Sequence, residues 1–301
     1  MEYELTWVPL RFELEMLDSL SLPEFSTSTI RGGLGHAMKR VSCEVAHETC
    51  SRCDLTGRCA YFATFAQEGW QRGDVRPYHF QRPCLPHHLS AGETLAVDLT
   101  LIGSGVCLLP VFVAAFDCLG KMGLGARGAR FRLQRVWSGP HCLFPSEGDP
   151  LPPLMIGSLS ALRASVPVVD RITLRFTTPT RIKFRNRITR APTFPIVMRA
   201  VFRRISSLVA RFGQGRFELD FGAWLARAEG VERESRSLSW RDLSRRSGRQ
   251  GRRMTLGGFV GEVTFTGAEL SPFLPFLRAG SVLHIGKNTV FGFGGYEVLG
   301  I

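Results

Sequence analysis

The sequence predicts an α+β protein made of two halves, each mixing strands with helices and closing on a glycine-rich turn. Its 301 residues are enough for two domains of ordinary size. Prolines and glycines accumulate between Ser138 and Pro153, and the pattern of strands and helices starts again after them. We therefore expect two tandem ferredoxin-like domains, over residues 1–150 and 151–301.

In the first half, alternating apolar and polar residues predict one or two strands over Glu4–Met16. The hydroxyl residues Ser26–Thr29 are typical of a helix N-cap, which predicts a short helix over Ile30–Val41. The remaining predicted elements of this half are a strand over Thr94–Ile102, a helix over Leu108–Lys121 and a strand over Phe131–Trp137.

In the second half, the same patterns predict strands over Arg171–Phe176 and Leu256–Thr266, an amphipathic helix over Phe194–Phe212 and a short helix over Leu270–Leu277. Val282–Ile285 and Tyr296–Ile301 flank a run of glycines. The simplest interpretation of that run is a tight hairpin whose glycines supply positive φ angles.

Two glycine clusters resemble nucleotide-binding motifs. Around Lys287, Gly280 lies one residue too far away for a P-loop, and Asn288 replaces the hydroxyl residue that would hold magnesium. Gly123–Gly128 matches the dinucleotide fingerprint, but Phe131–Trp137 after it alternates like a strand instead of forming a helix. We therefore expect turns at both places and no nucleotide pocket.

Positive charge is concentrated in the second half. The chain has a formal net charge of +12, and between Arg171 and Val260 Lys and Arg outnumber Asp and Glu roughly threefold. Arginine dominates there, and its planar fork grips phosphates and stacks on bases. This balance indicates a nucleic acid partner. A membrane surface fits less well because the arginines are not confined to one amphipathic helix.

The sequence also bears on location. The acidic, alternating start of the chain is not typical of a signal peptide, and no clean apolar run of about twenty residues is evident. We expect a cytoplasmic protein without a transmembrane helix and without a membrane partner.

Four of the eight cysteines lie within residues 43–59. Cys50 and Cys53 have the spacing of a short metal-binding knuckle, and Cys43 and Cys59 can complete a tetrahedral set. Disulfides are rare in intracellular proteins. We therefore expect a structural zinc site in a cysteine-rich insertion, with free thiols or an iron–sulfur cluster as the alternatives.

Several motifs together resemble one family. They are Phe176–Lys183, Arg203–Ser206, Arg245–Gln250, Gly257–Gly261, the terminal His284–Gly294, and Arg31–Gly35 ahead of the cysteines. The set is similar to that of the CRISPR repeat-processing endoribonucleases of the RAMP superfamily, and the similarity spans nearly the whole chain.

The resemblance implies a fold, a reaction and partners. The fold is two tandem RRM-like domains, and the reaction is cleavage of precursor CRISPR RNA within each repeat. The ribose 2′-hydroxyl attacks the adjacent phosphate without a catalytic metal, leaving a 2′,3′-cyclic phosphate and a 5′-hydroxyl. The implied partners are CRISPR repeat RNA, the mature crRNA and further subunits of an effector complex. The alternatives are a non-catalytic crRNA-binding subunit of such a complex with the same fold and, less favoured, a general zinc-containing RNA-binding protein.

Such chemistry needs a base, an acid and cations around the phosphate, and histidine suits the first two roles. His36 lies on the predicted first helix, the element that often carries the catalytic histidine in this family, and Lys39 lies one turn away. His284 precedes the terminal glycines, and His47 between the cysteines is a weaker candidate. The predicted catalytic residues are His36, His284 and Lys39.

The predicted RNA-binding residues combine cations with the glycine loop. They are Arg31, Arg181, Lys183, Arg245, Arg246, Arg249, Arg252, Arg253, Gly286, Lys287 and Asn288. The glycines would let main-chain amides approach a phosphate, and Lys287 would add a point charge.

Overall fold

The computed structural model describes residues 3–45, 50–66, 75–144, 152–164, 166–246 and 253–300. The chain divides into two compact units. The N-terminal unit holds residues 7–156, and the C-terminal unit holds residues 157–301 together with residues 1–6. The predicted boundary after residue 150 lies outside the described residues, and the division into compact units comes six residues later.

The N-terminal unit consists of one sheet, three helices and short ribbons. Its strands are β1 (Thr6–Met16), β2 (Leu20–Ser21), β3 (Tyr78–Phe80), β4 (His88–Leu89), β5 (Thr94–Ile102), β6 (Phe131–Ser138) and β7 (His141–Phe144). Its helices are α1 (Ser26–Ser42), α2 (Ala60–Thr64) and α3 (Leu109–Met122), with 3-10 turns at Cys50–Arg52 and Gly103–Leu108.

The main sheet of this unit has the strand order β3-β5-β1-β6-β7, and all its neighbours are antiparallel. Side chains of β1 alternate between the two faces, as the period of a strand requires. Val8, Leu10 and Phe12 are buried, and the Phe12 ring stacks on Phe116 of α3 at 4.2 Å between centroids. The core therefore lies between the sheet and its helices.

Helix α1 begins at Ser26, four residues before the predicted start. The hydroxyl groups do not cap it, because Ser26 Oγ accepts the Leu85 amide at 2.7 Å and Thr27 Oγ1 donates to the Pro83 carbonyl at 3.0 Å. Both side chains are buried. Their hydroxyls fix the start of the helix against the neighbouring chain segment.

The segment Gly103–Met122 is long and apolar enough to cross a membrane by length and composition, so the expectation that no such stretch exists was wrong. In the fold it forms the 3-10 turn and α3. Phe112, Ala115, Phe116 and Leu119 of α3 are buried, and α3 packs on α1. The apolar composition of this segment is thus that of a helix in the core of the N-terminal unit.

The C-terminal unit contains seven described strands, four of which form a second antiparallel sheet. The strands are β8 (Gly157–Ser158), β9 (Arg171–Thr180), β10 (Lys183–Phe184), β11 (Arg187–Ile188), β12 (Glu232–Arg246), β13 (Arg253–Thr266) and β14 (Tyr296–Leu299). The helices are α4 (Leu159–Arg163), α5 (Phe194–Phe212), α6 (Phe221–Ala228) and α7 (Leu274–Leu283), with 3-10 turns at Ser271–Phe273 and Thr289–Phe291.

The sheet of the C-terminal unit has the order β12-β13-β9-β14. Taken along the chain, β9-α5-β12-β13-α7-β14 repeats the pattern β1-α1-β3-β5-α3-β6 of the N-terminal unit. In both units the first strand lies between the third and the last. The predicted α+β fold with two similar halves is therefore confirmed at the level of strands and helices.

Two details of the prediction for the second half were wrong. The helix expected over Leu270–Leu277 begins as a 3-10 turn and continues as α7 to Leu283, so among these described residues a helix and not a hairpin strand leads into the glycines. Strand β12 escaped prediction because most of its described side chains are exposed, which removes the alternation that marks a half-buried strand.

Candidate functional site

Helix α1 carries an exposed stripe of Gly32, His36 and Arg40. These residues are spaced by four and therefore follow one another along one face of the helix. The position of a Cβ at Gly32 has no atom within 4 Å, so the surface beside His36 is open. The stripe offers an imidazole next to a guanidinium with room for a ligand.

The two flanks of this stripe on α1 are packed closely. A Cβ at Gly33 would lie 2.8 Å from Leu119 Cδ1, and a Cβ at Gly35 would lie 2.9 Å from Phe65 Cδ1. Both positions therefore need glycine if α1 is to approach α3 and Phe65 this closely. This packing sets the direction in which His36 points, and it accounts for glycines in a helix, where they are otherwise costly.

Two other predicted residues of α1 are turned toward aromatic rings. The guanidinium of Arg31 lies 5.1 Å from the centroid of Phe65, and the Lys39 ammonium lies 5.8 Å from that of Tyr61. Both side chains are half-buried. Lys39 also lines a small cavity beside the cysteines, so the structure does not place it on the exposed stripe with His36.

The four clustered cysteines surround that cavity. Its volume is about 20 Å³, and Cys43, Cys50, Cys53 and Cys59 all line it. None of the four forms a disulfide, and all are half-buried. Across the part of the chain that the structure describes, however, no three His, Cys, Asp or Glu side chains form a group arranged to hold a metal ion. The predicted zinc-binding insertion is therefore a cluster around one cavity and not an assembled metal site.

His284 lies in the core of the C-terminal unit with 2% of its surface exposed. Its Nδ1 donates to the Phe293 carbonyl at 3.0 Å, because a carbonyl oxygen only accepts. Burial, helped by the nearby charge of Arg204, lowers the pKa of His284 to about 3. The ring is thus neutral and enclosed, an environment that argues against proton exchange with a bound substrate.

Residues 284–295, here called the glycine-rich loop, are held by their own main-chain bonds. The amide of Ile285 donates to the Gly294 carbonyl at 3.0 Å, and that of Gly294 donates to the Pro179 carbonyl at 3.1 Å. The Gly295 amide donates to Thr178 Oγ1 at 2.8 Å. These amides are used inside the fold, so they are not the ones that could approach a phosphate.

The glycines of this loop are needed for backbone conformation. Gly286 and Gly294 have φ values of +84° and +79°, which L-residues rarely adopt. A Cβ at Gly294 would also collide with the backbone of Ile285, and one at Gly286 with that of Arg181. The expected turn with positive φ angles is confirmed, although a helix and not a strand precedes it.

Several predicted RNA-binding residues lie around this loop. The amide of Lys287 donates to the Arg181 carbonyl at 2.9 Å, and the Arg181 side chain donates to the Gly257 carbonyl on β13. The Arg245 guanidinium lies 5.0 Å from the centroid of Phe291. Lys287 is exposed. The loop, the end of β9 and the β12–β13 hairpin therefore meet in one neighbourhood.

The other predicted RNA-binding residues are placed less completely. Lys183 is exposed on β10, and Asn288 adopts a left-handed conformation with φ of 66°. Arg249 and Arg252 lie outside the described residues, as does His47. The side chains of Arg246 and Arg253 are likewise not described, although their backbones pair across the hairpin.

The prediction missed two aromatic residues that stack with arginines in the C-terminal unit. Exposed Arg190 lies 4.5 Å from the ring centroid of Trp240, whose indole N–H donates to Asp242 at 2.9 Å. Phe184 has Arg185 at 5.3 Å and Arg199 at 5.9 Å. Arg40 on α1 was missed as well. The sequence pattern that could have revealed Trp240 and Phe184 is an aromatic residue flanked by arginines, which is typical of a surface on which bases stack.

Three other described histidines offer a contrast with His36. His79 is fully buried, and its Nδ1 lies 3.1 Å from the Phe80 carbonyl. His87 and His88 are exposed, but their Nδ1 atoms lie 3.3 Å from the Leu22 carbonyl and 3.1 Å from Ser21 Oγ. These contacts tie all three rings to neighbouring parts of the fold.

Two family models match separate segments of the chain. Residues 174–296 match the family model described as CRISPR-associated endoribonuclease Cas6. Residues 5–147 match the model of the AF_1859 N-terminal domain. A search of curated proteins found no match.

The fold of the whole chain is similar to solved Cas6 structures. Thermus thermophilus Cas6 matches with a TM-score of 0.57 at 18% identity, covering 99% of this chain and 100% of that chain. A Cas6 product complex matches with a TM-score of 0.59 at 20% identity, covering 97% and 99%. A Cas6-RT-Cas1–Cas2 complex matches with a TM-score of 0.59 at 13% identity, covering 98% of this chain and 29% of that chain.

The C-terminal match and the shared fold agree with the motifs that the sequence presents. Residues 174–296 contain the glycine-rich loop, the end of β9 and the β12–β13 hairpin, which is where the predicted RNA-binding residues meet. The order of strands and helices extends the likeness over the N-terminal unit. Residues 174–296 therefore match the CRISPR-associated endoribonuclease Cas6 model, and the fold of the whole chain is similar to that of solved Cas6 structures.

Proposed function

We propose that this protein is a cytoplasmic endoribonuclease that cleaves precursor CRISPR RNA within its repeats, using two tandem ferredoxin-like domains. Cleavage proceeds without a catalytic metal, through attack of a ribose 2′-hydroxyl. The observation that carries the proposal is His36, an exposed histidine with open surface beside it on the first helix of a Cas6-type chain.

His36 serves as the general base. Its imidazole takes the proton of the 2′-hydroxyl while the 2′-oxygen forms a bond to the adjacent phosphorus. The bond from phosphorus to the 5′-oxygen then breaks, that oxygen takes a proton from water as it leaves, and the proton held by His36 returns to the solvent. The products are a 2′,3′-cyclic phosphate and a 5′-hydroxyl. Histidine suits this role because its ordinary pKa lies near neutrality.

Arg40 supplies charge beside the base. It lies four residues after His36 on the same exposed face, about 6 Å further along the helix axis. A guanidinium can bind two phosphate oxygens at once and offset the charge that gathers on the phosphorane. His36 and Arg40 together provide the proton acceptor and the cation that metal-free cleavage requires.

The C-terminal unit holds the RNA through cations and aromatic rings. Lys287 on the glycine-rich loop contacts a phosphate, and the pairs Arg190–Trp240 and Arg245–Phe291 present stacking surfaces. Base stacking on an aromatic side chain is worth about 1–3 kcal/mol per base. Such contacts suit an RNA whose phosphates and exposed bases are read together.

The partners follow from the relatives. The structures with similar folds include a Cas6 product complex and a Cas6-RT-Cas1–Cas2 complex. We extend the first to this chain, with CRISPR repeat RNA as substrate and the processed crRNA as product. Assembly with other CRISPR proteins is a further expectation.

A second function remains open, that of a crRNA-binding subunit without cleavage activity. The arginine and aromatic contacts of the C-terminal unit serve binding equally well. The two functions differ at His36, which a binding subunit does not need. Cleavage of the repeat RNA decides between them.

The test uses the full chain, the repeat RNA of its own CRISPR locus and EDTA in excess over divalent metals. We expect one discrete cut with a 2′,3′-cyclic phosphate on the upstream product. A matched RNA with a 2′-deoxy nucleotide 5′ of the cut should bind equally and stay intact. Cleavage of the deoxy RNA would refute the 2′-hydroxyl mechanism, and binding without any cut would establish the second function.

A further inference from the structure

The described residues between Cys43 and Cys59, which follow helix α1, are held by little hydrophobic packing. None of their described side chains is buried. Their described ion pair, Arg58 with Glu44 at 3.1 Å, is exposed on both sides and contributes little stability. A loop of this length needs another means to keep one conformation, because ordering each residue costs about 1–2 kcal/mol.

The same segment brings four thiols to one cavity. Cys43, Cys50, Cys53 and Cys59 line a space of about 20 Å³, which is the size of a single small occupant. The amide of Cys53 donates to the Cys50 carbonyl at 3.3 Å, which closes the turn between these two residues. Both residues of this turn line the cavity, and a pair of cysteines at this spacing is typical of tetrahedral zinc sites.

The other two cysteines lie at the ends of helices. Cys43 is the C-cap of α1, its amide donating to the Lys39 carbonyl at 2.9 Å, and Cys59 is the N-cap of α2. The thiol of Cys43 donates to the Val45 carbonyl at 2.9 Å. For all four sulfurs to bind one ion, the Cys43 side chain must therefore rotate away from the Val45 carbonyl.

We propose that Cys43, Cys50, Cys53 and Cys59 bind one structural zinc ion that ties the end of α1 to the start of α2. Four thiolates exceed the charge of Zn²⁺, so the site carries net negative charge. Lys39 lines the cavity and offsets that charge, which gives this lysine a role at the metal in place of the predicted role in catalysis. The ion fixes α1 at Cys43, which lies two helical turns, about 10 Å, beyond His36.

The proposal is independent of RNA cleavage, and its readouts are metal content and stability. Protein purified without chelators should contain about one zinc per chain by elemental analysis. Cobalt bound in place of zinc should show the intense visible absorption of a tetrahedral thiolate site. Less than about one-tenth of an equivalent of zinc, or iron in its place, would overturn the proposal.

Matched variants locate the ion. Cys50→Ser and Cys53→Ser should lose the metal, whereas Cys118→Ser and Cys142→Ser, which lie away from the cavity, should keep it. Lys39→Ala should bind zinc several-fold more weakly. Full zinc content in Cys50→Ser would overturn the ligand set, and unchanged affinity in Lys39→Ala would overturn the role of Lys39.

Stability provides a measurement that does not depend on the folding of variants. Wild-type protein stripped of metal should melt at a lower temperature and recover when zinc is added, because a structural ion contributes folding energy directly. Zinc should also protect the four clustered cysteines from alkylation while leaving exposed Cys107 reactive. Equal alkylation of the four cysteines with and without zinc would contradict the proposal.

Discussion

The two histidines that the sequence favours as catalytic, His36 and His284, lie in opposite environments. His36 is exposed on α1 beside a position with open space, whereas His284 is 2% exposed and bonded to the Phe293 carbonyl. Both histidines lie near glycines, but the glycines have different structural roles. Those of α1 admit a close helix contact, and those of the terminal loop supply positive φ angles. A histidine next to glycines therefore says little about access to substrate.

The arginines show a similar division. On both sheets, arginines of the strands pair with carboxylates, as in Arg11–Asp98 at 2.7 Å in the N-terminal unit and Arg175–Glu262 at 2.7 Å in the C-terminal unit. Arg190 and Arg245 instead lie over aromatic rings. The net charge of the sequence indicates a polyanion partner, but the contact that each arginine makes indicates which of them can meet it.

The largest expected effect is on the rate of RNA cleavage, which should depend on His36 and not on His284. His36→Ala should lower the single-turnover rate of repeat RNA cleavage by about two to four decades, the usual contribution of a positioned acid or base. RNA affinity and melting temperature should change little, because the side chain is exposed. The measurement is cleavage by enzyme in excess, with affinity measured in parallel on the 2′-deoxy RNA.

His88→Ala is the matched control, since His88 is also exposed in the N-terminal unit. It should cleave at the wild-type rate. If the His36→Ala protein cleaved at the wild-type rate, His36 would not be the general base. A loss of cleavage in His88→Ala equal to that in His36→Ala would show that the effect is not specific to the proposed site.

Much of the fold follows from the sequence because alternation and helical periodicity report burial. Strand β5 coincides with the predicted Thr94–Ile102, and α5 with the predicted Phe194–Phe212. The prediction fails where burial does not alternate. Strand β12 is stabilised by pairing with β13 along its length, and its exposed side chains leave no pattern for a reader of the sequence.

The site was less predictable because its properties depend on contacts between distant residues. The cysteine spacing correctly indicated a cluster, since all four residues lie close together in the chain and line one cavity. The environment of His284 depends on Phe293 and on Arg204 of α5, which no local motif reveals. The stacking of Arg190 on Trp240 joins residues fifty positions apart in the sequence.

The second largest effect is on stability: the lowered pKa of His284 should make the unfolding free energy depend on pH. Its pKa is about 3 in the folded protein, below the ordinary value of 6.5, so the unfolded chain binds the proton more tightly. The stabilising contribution is complete above about pH 6.5 and is lost as the pH falls toward 3. Between pH 7 and pH 5 the wild type should lose about 2 kcal/mol of unfolding free energy that His284→Asn does not lose.

Denaturant titrations of both proteins at the two pH values provide the measurement. His284→Asn removes the titrating ring and retains an amide that can donate to the Phe293 carbonyl. Its cleavage rate per folded molecule should stay near that of the wild type. Equal pH dependence in the two proteins would mean that His284 titrates normally, and a loss of cleavage as large as that of His36→Ala would restore His284 to the active site.

The smallest effect concerns Lys287, the exposed cation of the glycine-rich loop. If it contacts one phosphate, Lys287→Ala should reduce the slope of log affinity against log salt by about 0.7–0.9, because one counterion fewer is released on binding. Lys121→Ala is the control, since Lys121 is exposed but paired with Asp117 at 2.7 Å in the N-terminal unit. The slope of that variant should match the wild type. Lys287→Arg should also keep the wild-type slope, because it preserves the charge. An unchanged slope in Lys287→Ala would mean that the loop carries its glycines for backbone geometry alone and that the RNA is held elsewhere on the C-terminal unit.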